Sequence, residues 1–257
     1  MTDLLKWDSQ NYLGGKGILT GCDEGYEWML KWWWDNYSKT NTLPVTIFDY
    51  GMSKSARAWC QKRTNVISFS LPDSYMKKRQ PIPLPPKWPK KWHNDILNHR
   101  KIWFSKPLSF FKTPYEKNLW VDLDCKFIRP VDEIFDYCDQ GDGIALSLDV
   151  PETIKIWKEV GFLSKQATGY QAGVIVFKRH SPIINKWAEN CILNRKTEYS
   201  DQTCLSHTLS SENFHASLLS QLYNWLDAKK VHPEAKIVHY GGDEFKIQLI
   251  KELKLSH

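Results

Sequence analysis

The sequence predicts an α/β fold in a single domain, with a parallel sheet flanked by helices. Strand and helix signals alternate through the first third of the chain, and this spacing implies parallel pairing with right-handed crossovers. The 257 residues are sufficient for one large core, and neither an internal repeat nor a linker divides them. The hydrophobic share of 42% and the charged share of 25% are typical of a globular protein. We therefore expect one domain over residues 1–257.

In the first half of the chain, short apolar runs that end in small or polar residues predict the strands. Asp23 and Glu24 are acids, and the dipole of a helix favours acids in its first turn, so a helix is expected to begin there. In chain order we predict a strand at 17–21, a helix from 23 to 33, a strand at 43–48, a helix at 53–61, a strand at 66–69, a helix at 93–110 and a strand at 118–121.

The second half continues with the same two kinds of signal. In chain order we predict a helix at 131–137, strands at 143–148 and 172–177, helices at 182–193 and 200–209, a strand at 237–239 and a closing amphipathic helix at 244–253.

A basic, proline-rich segment at about 72–92 interrupts the pattern. Its core, residues 81–89, cannot be helical, because each proline lacks an N–H group and restricts the residue before it. We expect an ordered, partly extended excursion. A lid or an acceptor-facing wall and a plain surface insertion both agree with this composition.

The net charge of +6 favours partners that carry phosphate, such as nucleic acid, anionic lipid headgroups or a small phosphorylated substrate. The six cysteines are widely spaced without a Cys-x-x-Cys pair, which indicates reduced, buried thiols. Residues 1–10 lack the apolar core of a signal peptide, and no window approaches the roughly 20 apolar residues that span a bilayer. We expect a cytoplasmic protein, at most peripheral to a membrane.

The strand at 118–121 runs directly into Asp122 and Asp124. Alternation along an extended backbone places both carboxylates on one side, at the sheet edge where open α/β folds bind ligands. Two carboxylates repel each other unless a cation lies between them, and their hard oxygens suit Mg²⁺ or Mn²⁺. Such a cation would neutralise a pyrophosphate. Taken alone, however, Asp-x-Asp often does no more than end a strand in a turn.

Several further motifs accompany this pair in a fixed order. They are residues 18–23 with Tyr26, then 103–108, 119–125, 130–135, 169–174, 200–203 and 237–242. Together they resemble the family 8 glycosyltransferases and their bacterial relatives over nearly the whole chain. The resemblance implies a GT-A, Rossmann-like nucleotide-diphospho-sugar transferase fold, with a mixed, mostly parallel central sheet flanked by helices.

The resemblance also implies roles for individual residues. It implies that the metal, Mn²⁺ or Mg²⁺, is held by Asp122, Asp124 and His239. The segment that holds the nucleoside, typically uridine, is matched by Thr20, Cys22, Asp23 and Tyr26.

Other matches concern the diphosphate and the sugar. Contacts to the donor sugar or its phosphates are implied for Lys106, Gly242 and Lys246. The positions beside the anomeric carbon are those of Asp201 and Gln202, and Gln171 stands where the family usually has Asn. This exchange leaves the donor sugar open, and the departure from the family's usual Lys-Pro-Trp makes Lys246 a weaker match than His239.

The expected activity is transfer of a sugar from a nucleotide-sugar donor, a UDP-sugar, to a hydroxyl of a glycan or glycolipid acceptor. Retention of the anomeric configuration is implied by the resemblance alone. The basic proline-rich segment is a candidate for contact with an anionic acceptor or a membrane surface.

Two other classes of function remain as alternatives. A nucleotidyltransferase usually has a basic, glycine-rich loop after its first strand, whereas residues 21–24 are acidic and would repel a triphosphate. A nucleic-acid-binding protein would use the basic and aromatic residues at 87–101, but this leaves the Asp-x-Asp strand unexplained. No nucleic-acid motif occurs, so no nucleic-acid partner is expected.

Overall fold

The computed structural model describes residues 2–71 and 90–253. The expected proline-rich excursion lies outside these residues up to position 89, and residues 90–92 already belong to a helix. Within the described ranges, no helix combines the length and the apolar character needed to cross a bilayer.

Nine strands of the described residues form two sheets. Seven of them make a central sheet in the order β3-β2-β1-β4-β7-β6-β8, and β5 pairs with β9 beside it. The strands are β1 Lys16–Cys22, β2 Val45–Asp49, β3 Asn65–Ser68, β4 Lys117–Val121, β5 Cys125–Phe127, β6 Ile144–Leu148, β7 Tyr170–Lys178, β8 Ser217–Leu218 and β9 Ile237–His239.

Seven α-helices of the described chain flank these sheets. They are α1 Leu30–Thr40, α2 Lys54–Gln61, α3 Lys90–Ser109, α4 Pro151–Glu159, α5 Pro182–Leu193, α6 Asp201–Ser211 and α7 Asp243–Glu252. Short 3₁₀ helices cover Thr2–Leu5, Glu27–Met29, Phe110–Lys112, Asp132–Asp139 and Gln221–Tyr223.

The central sheet is mixed and mostly parallel, as the resemblance implied. The pairs β1–β2, β1–β4, β2–β3 and β6–β8 are parallel. Strand β7 is antiparallel to both of its neighbours, β4 and β6. The α/β fold class is thus confirmed, and the carboxyl ends of β1 and β4 meet at one edge of the sheet.

The core has two layers, one on each face of the sheet. Leu119 and Val121 of β4 face the layer that contains Trp33 of α1. Trp120, between them, faces the opposite layer, where its ring centroid lies 5.3 Å from that of Phe110. Because a central strand is covered on both faces, β4 is apolar at every position after Asn118.

Several predicted bounds were wrong. The helix expected from Asp23 begins only at Leu30, after the 3₁₀ turn Glu27–Met29. The reason is local: the Asp23 carboxylate accepts a hydrogen bond from the Tyr26 N–H at 3.1 Å and stabilises a turn instead. The helix expected at 131–137 is a 3₁₀ helix, Asp132–Asp139. Strands β5 and β8 and helix α4 were not predicted.

Candidate functional site

Asp122 and Asp124 stand where the chain leaves β4. The N–H of Asp122 donates to the Gly173 carbonyl of β7 at 2.8 Å, which prolongs the pairing of the two strands by one residue. The indole N–H of Trp120 donates to the Asp122 carboxylate at 2.5 Å. The carbonyl of Asp124 accepts from the N–H of Tyr240 at 2.8 Å, so the segment after β9 is fixed beside it.

His239, the last residue of β9, faces Asp124. Its Nε2 lies 3.3 Å from the Asp124 Oδ1 atom, and its Nδ1 lies 3.0 Å from the Asn224 side-chain oxygen. The Asn224 amide group in turn donates to the Ser147 hydroxyl at 2.8 Å. Since an amide oxygen can only accept, Nδ1 carries a proton and donates to Asn224, and Nε2 is the ring nitrogen that faces Asp124.

The absence of a side chain at Gly173 leaves room for the His239 ring. A Cβ atom at position 173 would lie 2.2 Å from the ring carbon Cε1, and so the imidazole lies directly against the backbone of β7. This close approach is a physical reason for glycine in the segment 169–174.

The atoms at this point suit a hard divalent cation. One ligand atom each from Asp124, Cys125 and His239 lies within 4.8 Å of the others. The Cys125 thiol belongs to the hydrophobic core, and burial raises its pKa well above the ordinary value, so it remains protonated and is a poor ligand. Carboxylate and imidazole remain, a set that fits Mn²⁺ or Mg²⁺. Asp122 lies outside this group but lines the same cavity.

Lys106 of α3 is a buried ammonium that joins the acids of the site. Its Nζ lies 2.9 Å from the Asp201 Oδ2 atom and 3.6 Å from the Asp122 Oδ1 atom, and it donates to the Ala172 carbonyl at 2.9 Å. Burial lowers the pKa of Lys106, but the charges of Asp122 and Asp201 outweigh burial, and the pKa is raised above its ordinary value. Lys106 therefore stays charged.

Helix α6 brings Asp201 and Gln202 to the site. Ser200 caps this helix by accepting from the N–H of Thr203 at 3.2 Å. The side chain of Gln202 accepts from the N–H of Ala172 at 3.0 Å and donates to Asp149 at 2.9 Å. Gln202 is thereby tied to β7 and to the end of β6, while the Asp201 carboxylate lies against Lys106.

Asp149 is a site residue that the sequence analysis missed. It is buried, it accepts from the Val150 N–H at 2.8 Å and from Gln202, and Gln171 also bonds to it. Burial raises its pKa, and these hydrogen bonds oppose the shift. The available signal was its position directly after the predicted strand 143–148, where Asp122 also stands relative to its own strand.

Two adjoining cavities meet at these residues. The smaller, of about 610 Å³, is lined by Cys22, Asp23 and Tyr26 and reaches Lys106, Asp122 and Asp124. The larger, of about 1150 Å³, shares the last three residues and extends to His239, Gly242, Asp201, Gln202 and Gln171.

Two expected residues stand apart from the cavities as described. Thr20 is fully buried within β1 and lines neither, although its hydroxyl has no hydrogen-bond partner among the described residues. The side chain of Lys246 lies outside the part of the chain that the structure describes.

Comparisons with known proteins rest on structure, since no family model and no curated protein sequence matches the chain. The galactosyltransferase LgtC, in a complex with donor and acceptor sugar analogues, is similar with a TM-score of 0.55 and 15% identity, over 89% of this chain and 87% of LgtC. Mouse xyloside xylosyltransferase 1 is similar with a TM-score of 0.55 and 13% identity, over 88% of this chain and 97% of the xylosyltransferase chain. The bifunctional glycosyltransferase WbbM is similar with a TM-score of 0.56 and 11% identity, over 93% of this chain and 47% of the WbbM chain. The chain has the GT-A glycosyltransferase fold.

Proposed function

We propose that the protein is a glycosyltransferase that moves a sugar from a UDP-sugar to a hydroxyl of a glycan or glycolipid, with Mn²⁺ or Mg²⁺ bound. The observation that carries the proposal is the approach of His239 Nε2 to within 3.3 Å of the Asp124 carboxylate, at the junction of two cavities. This junction lies at the carboxyl edge of β4, in a fold shared with glycosyltransferases.

Asp124 and His239, with Asp122 beside them, would hold the cation. A bound Mn²⁺ or Mg²⁺ supplies positive charge that stabilises the diphosphate leaving group. The protein prepares the ligands beforehand: Asn224 orients the imidazole, and Gly173 leaves room for its ring.

The smaller cavity would receive the nucleoside, through Cys22, Asp23 and Tyr26. Asp23 can accept from a base N–H, which is consistent with uracil. The diphosphate would then pass the cation towards Gly242, a turn residue with a positive φ of 88°, and towards Lys246.

The donor sugar would occupy the junction, beside Asp201, Gln202 and Gln171. The glycosyl centre of such transfers develops positive charge, which carboxylate and amide oxygens stabilise. Lys106 holds Asp201 in position, because its ammonium lies 2.9 Å from that carboxylate. Retention of the anomeric configuration is part of the proposal.

The test is release of UDP from a panel of donors. We expect the protein, with Mn²⁺ and a sugar acceptor, to release UDP from one of UDP-galactose, UDP-glucose and UDP-xylose. Chelation of the metal and the substitution Asp124→Asn should each abolish the release. His215→Ala, which changes an exposed histidine, is the control and should retain it.

A nucleotidyltransferase gives a different product from the same components. Incubated with UTP and a sugar 1-phosphate, it would release pyrophosphate. Metal-dependent pyrophosphate release without any UDP release from the three donors would contradict the glycosyltransferase proposal.

A further inference from the structure

Resting on this proposed function, we propose that Trp157 is the platform of an acceptor subsite that binds an uncharged pyranose ring. The subsite is the part of the larger cavity whose wall is formed by Trp157, Trp103 and Tyr199. Of these three, Trp103 also lines the smaller cavity.

Helix α4 is unusual because none of its nine residues is buried. A helix of this length is normally held by an apolar stripe packed on the core, since short helices are marginal in isolation. Here Thr153 and Trp157, one turn apart, line the cavity instead, while Ile156 is turned outwards with 48% of its surface exposed. A Trp in this position offers a large apolar face to whatever enters.

The rings of the aromatic wall contact one another although α4 is exposed. The Tyr199 ring stacks on Phe162 at 4.0 Å between centroids and 13° between planes. The Trp157 and Trp103 rings meet Tyr199 at 6.1 and 6.4 Å, at 63° and 51°. Tyr199 therefore fixes two indoles from different helices, and a fixed aromatic face binds the CH face of a sugar ring at little cost in side-chain entropy.

Polar groups beside the wall suit the hydroxyls of a sugar. Thr153 provides a hydroxyl on the same face of α4 as Trp157, and Asp149 and Gln202 line the cavity next to it. Asp149 already receives hydrogen bonds from three neighbours, so it is held ready as an acceptor for a further hydroxyl.

The charge of the cavity favours an uncharged acceptor. Its walls carry the carboxylates of Asp122, Asp124, Asp149 and Asp201. Among the described residues that line it, the permanent cation is Lys106, whose ammonium is already shared between Asp122 and Asp201. A phosphate or carboxylate on the acceptor would approach acids with no free cation from these residues.

The test measures sugar binding directly, by saturation-transfer NMR on the protein with UDP and Mg²⁺. The probes are the methyl glycosides of glucose, galactose and xylose, with methyl glucuronide and glucose 6-phosphate as charged counterparts. We expect at least one neutral glycoside to show transfer strongest at the ring CH protons, and Trp157→Ala to weaken its binding by roughly tenfold.

Ile156→Ala is the matched control, because it removes an exposed apolar side chain from the same helix without touching the cavity. It should leave glycoside binding unchanged. Trp157→Phe keeps a ring against Tyr199 and should give a partial loss, so the test survives if the alanine variant fails to fold. Thermal midpoints of all variants establish that they are folded.

The same samples separate this inference from the proposed function. A UDP-induced rise of the midpoint, with glycoside binding that depends on Trp157 and not on Ile156, supports both. Three results would overturn the acceptor subsite alone, each together with a UDP-induced rise of the midpoint. They are the absence of any neutral glycoside binding, glycoside binding that is unchanged in Trp157→Ala, and binding of the charged sugars only. No response to UDP contradicts the proposed function and, with it, an acceptor role for this wall.

Discussion

His239 shows how few atoms define the site at the scale of single residues. Its ring is fixed by one hydrogen bond to Asn224, one approach to Asp124 and one backbone contact at Gly173. Each contact removes a freedom of the ring, and together they leave Nε2 facing the carboxylate. A ring nitrogen held beside a carboxylate in this way is pre-organised to bind a cation together with that acid.

Gly173→Ala should displace this ring. The added Cβ would lie 2.2 Å from the His239 Cε1 atom, so either the imidazole or β7 must move. We expect a loss of stability of about 1–3 kcal/mol and a clear weakening of Mn²⁺ binding, measured by electron paramagnetic resonance of free Mn²⁺ with UDP present. Gly241→Ala places its Cβ 3.4 Å from the same ring, an ordinary contact, and should bind Mn²⁺ nearly as the wild type does. Equal binding by both variants would contradict the role of the ring.

Lys106→Met should leave two carboxylates without their cation. Removal of one partner from a buried ion pair typically costs about 3–5 kcal/mol, and we expect a loss of this size without metal in chemical unfolding. Mn²⁺ should then raise the midpoint of the variant more than that of the wild type, because the metal replaces part of the lost charge. Lys112→Met removes a partly exposed lysine 3.9 Å from Asp8 and should cost less than about 1 kcal/mol. A loss no larger than that of Lys112→Met would contradict the account.

The site residues that could be predicted from the sequence lie at the ends of apolar runs, and those that were not predicted have a weaker signal or none. Asp122 and Asp124 follow β4, and His239 ends β9. The end of a strand can be recognised in the sequence because an apolar run stops there at a polar residue. Trp157 carries no such signal, since on an unpredicted helix a tryptophan is most simply assigned to the core. Asp149 had the same signal as Asp122, without a second acid two residues later to make it stand out.

At the scale of elements, helix α6 and the loop before it depend on one buried arginine. Arg100 of α3 donates to the carbonyls of Arg195, Glu198 and Tyr199, and it lies 4.7 Å from the centroid of Phe104. The loop it holds leads directly to Ser200, which caps the helix that carries Asp201 and Gln202. The geometry of the proposed sugar site thus rests on a contact made outside the cavity.

Arg100→Lys should therefore loosen the loop although the charge is kept. An ammonium cannot reproduce the planar fork that reaches three carbonyls, and we expect a loss of about 2–4 kcal/mol, measured by urea unfolding. Arg63→Lys is the control, because Arg63 is exposed and donates to the single carbonyl of Trp59. It should change stability by less than about 1 kcal/mol. Similar effects of the two substitutions would show that Arg100 has no special structural role.

Helices and strands were predicted well where the apolar spacing and the residues that start or end an element agree. They were predicted wrongly where a side chain forms a hydrogen bond that stabilises a turn in place of a helix. Helix α5 agrees with its prediction at both ends, because Pro182 starts it and its apolar spacing is regular. At Asp23, in contrast, acids that favour a helix start also favour a turn, and the turn to Tyr26 prevails. Helix α4 was not predicted because it has no row of buried apolar residues, and so its sequence lacks the periodic pattern that indicates a helix.

At the scale of the whole molecule, the sheet order determines which residues meet. Strands β1 and β4 are parallel neighbours, so the residues at their carboxyl ends, Cys22 and Asp122, line one cavity. Strand β7 runs antiparallel beside β4 and brings Gly173 against His239. The class of fold followed from local patterns and the family resemblance. The antiparallel insertion of β7 depends on long-range pairing, which local patterns do not encode.

The most direct test of a metal-dependent uridine-nucleotide site is thermal unfolding with UDP, GDP, CMP and ADP, each with and without Mn²⁺. A ligand that binds only the folded state stabilises it by mass action, by about 2.7 kcal/mol at a hundred times its Kd. We predict that UDP with Mn²⁺ raises the midpoint, and that UDP without Mn²⁺ and the other nucleotides with Mn²⁺ raise it much less. No rise with any nucleotide, or a rise with UDP that is the same without the metal, would contradict the account.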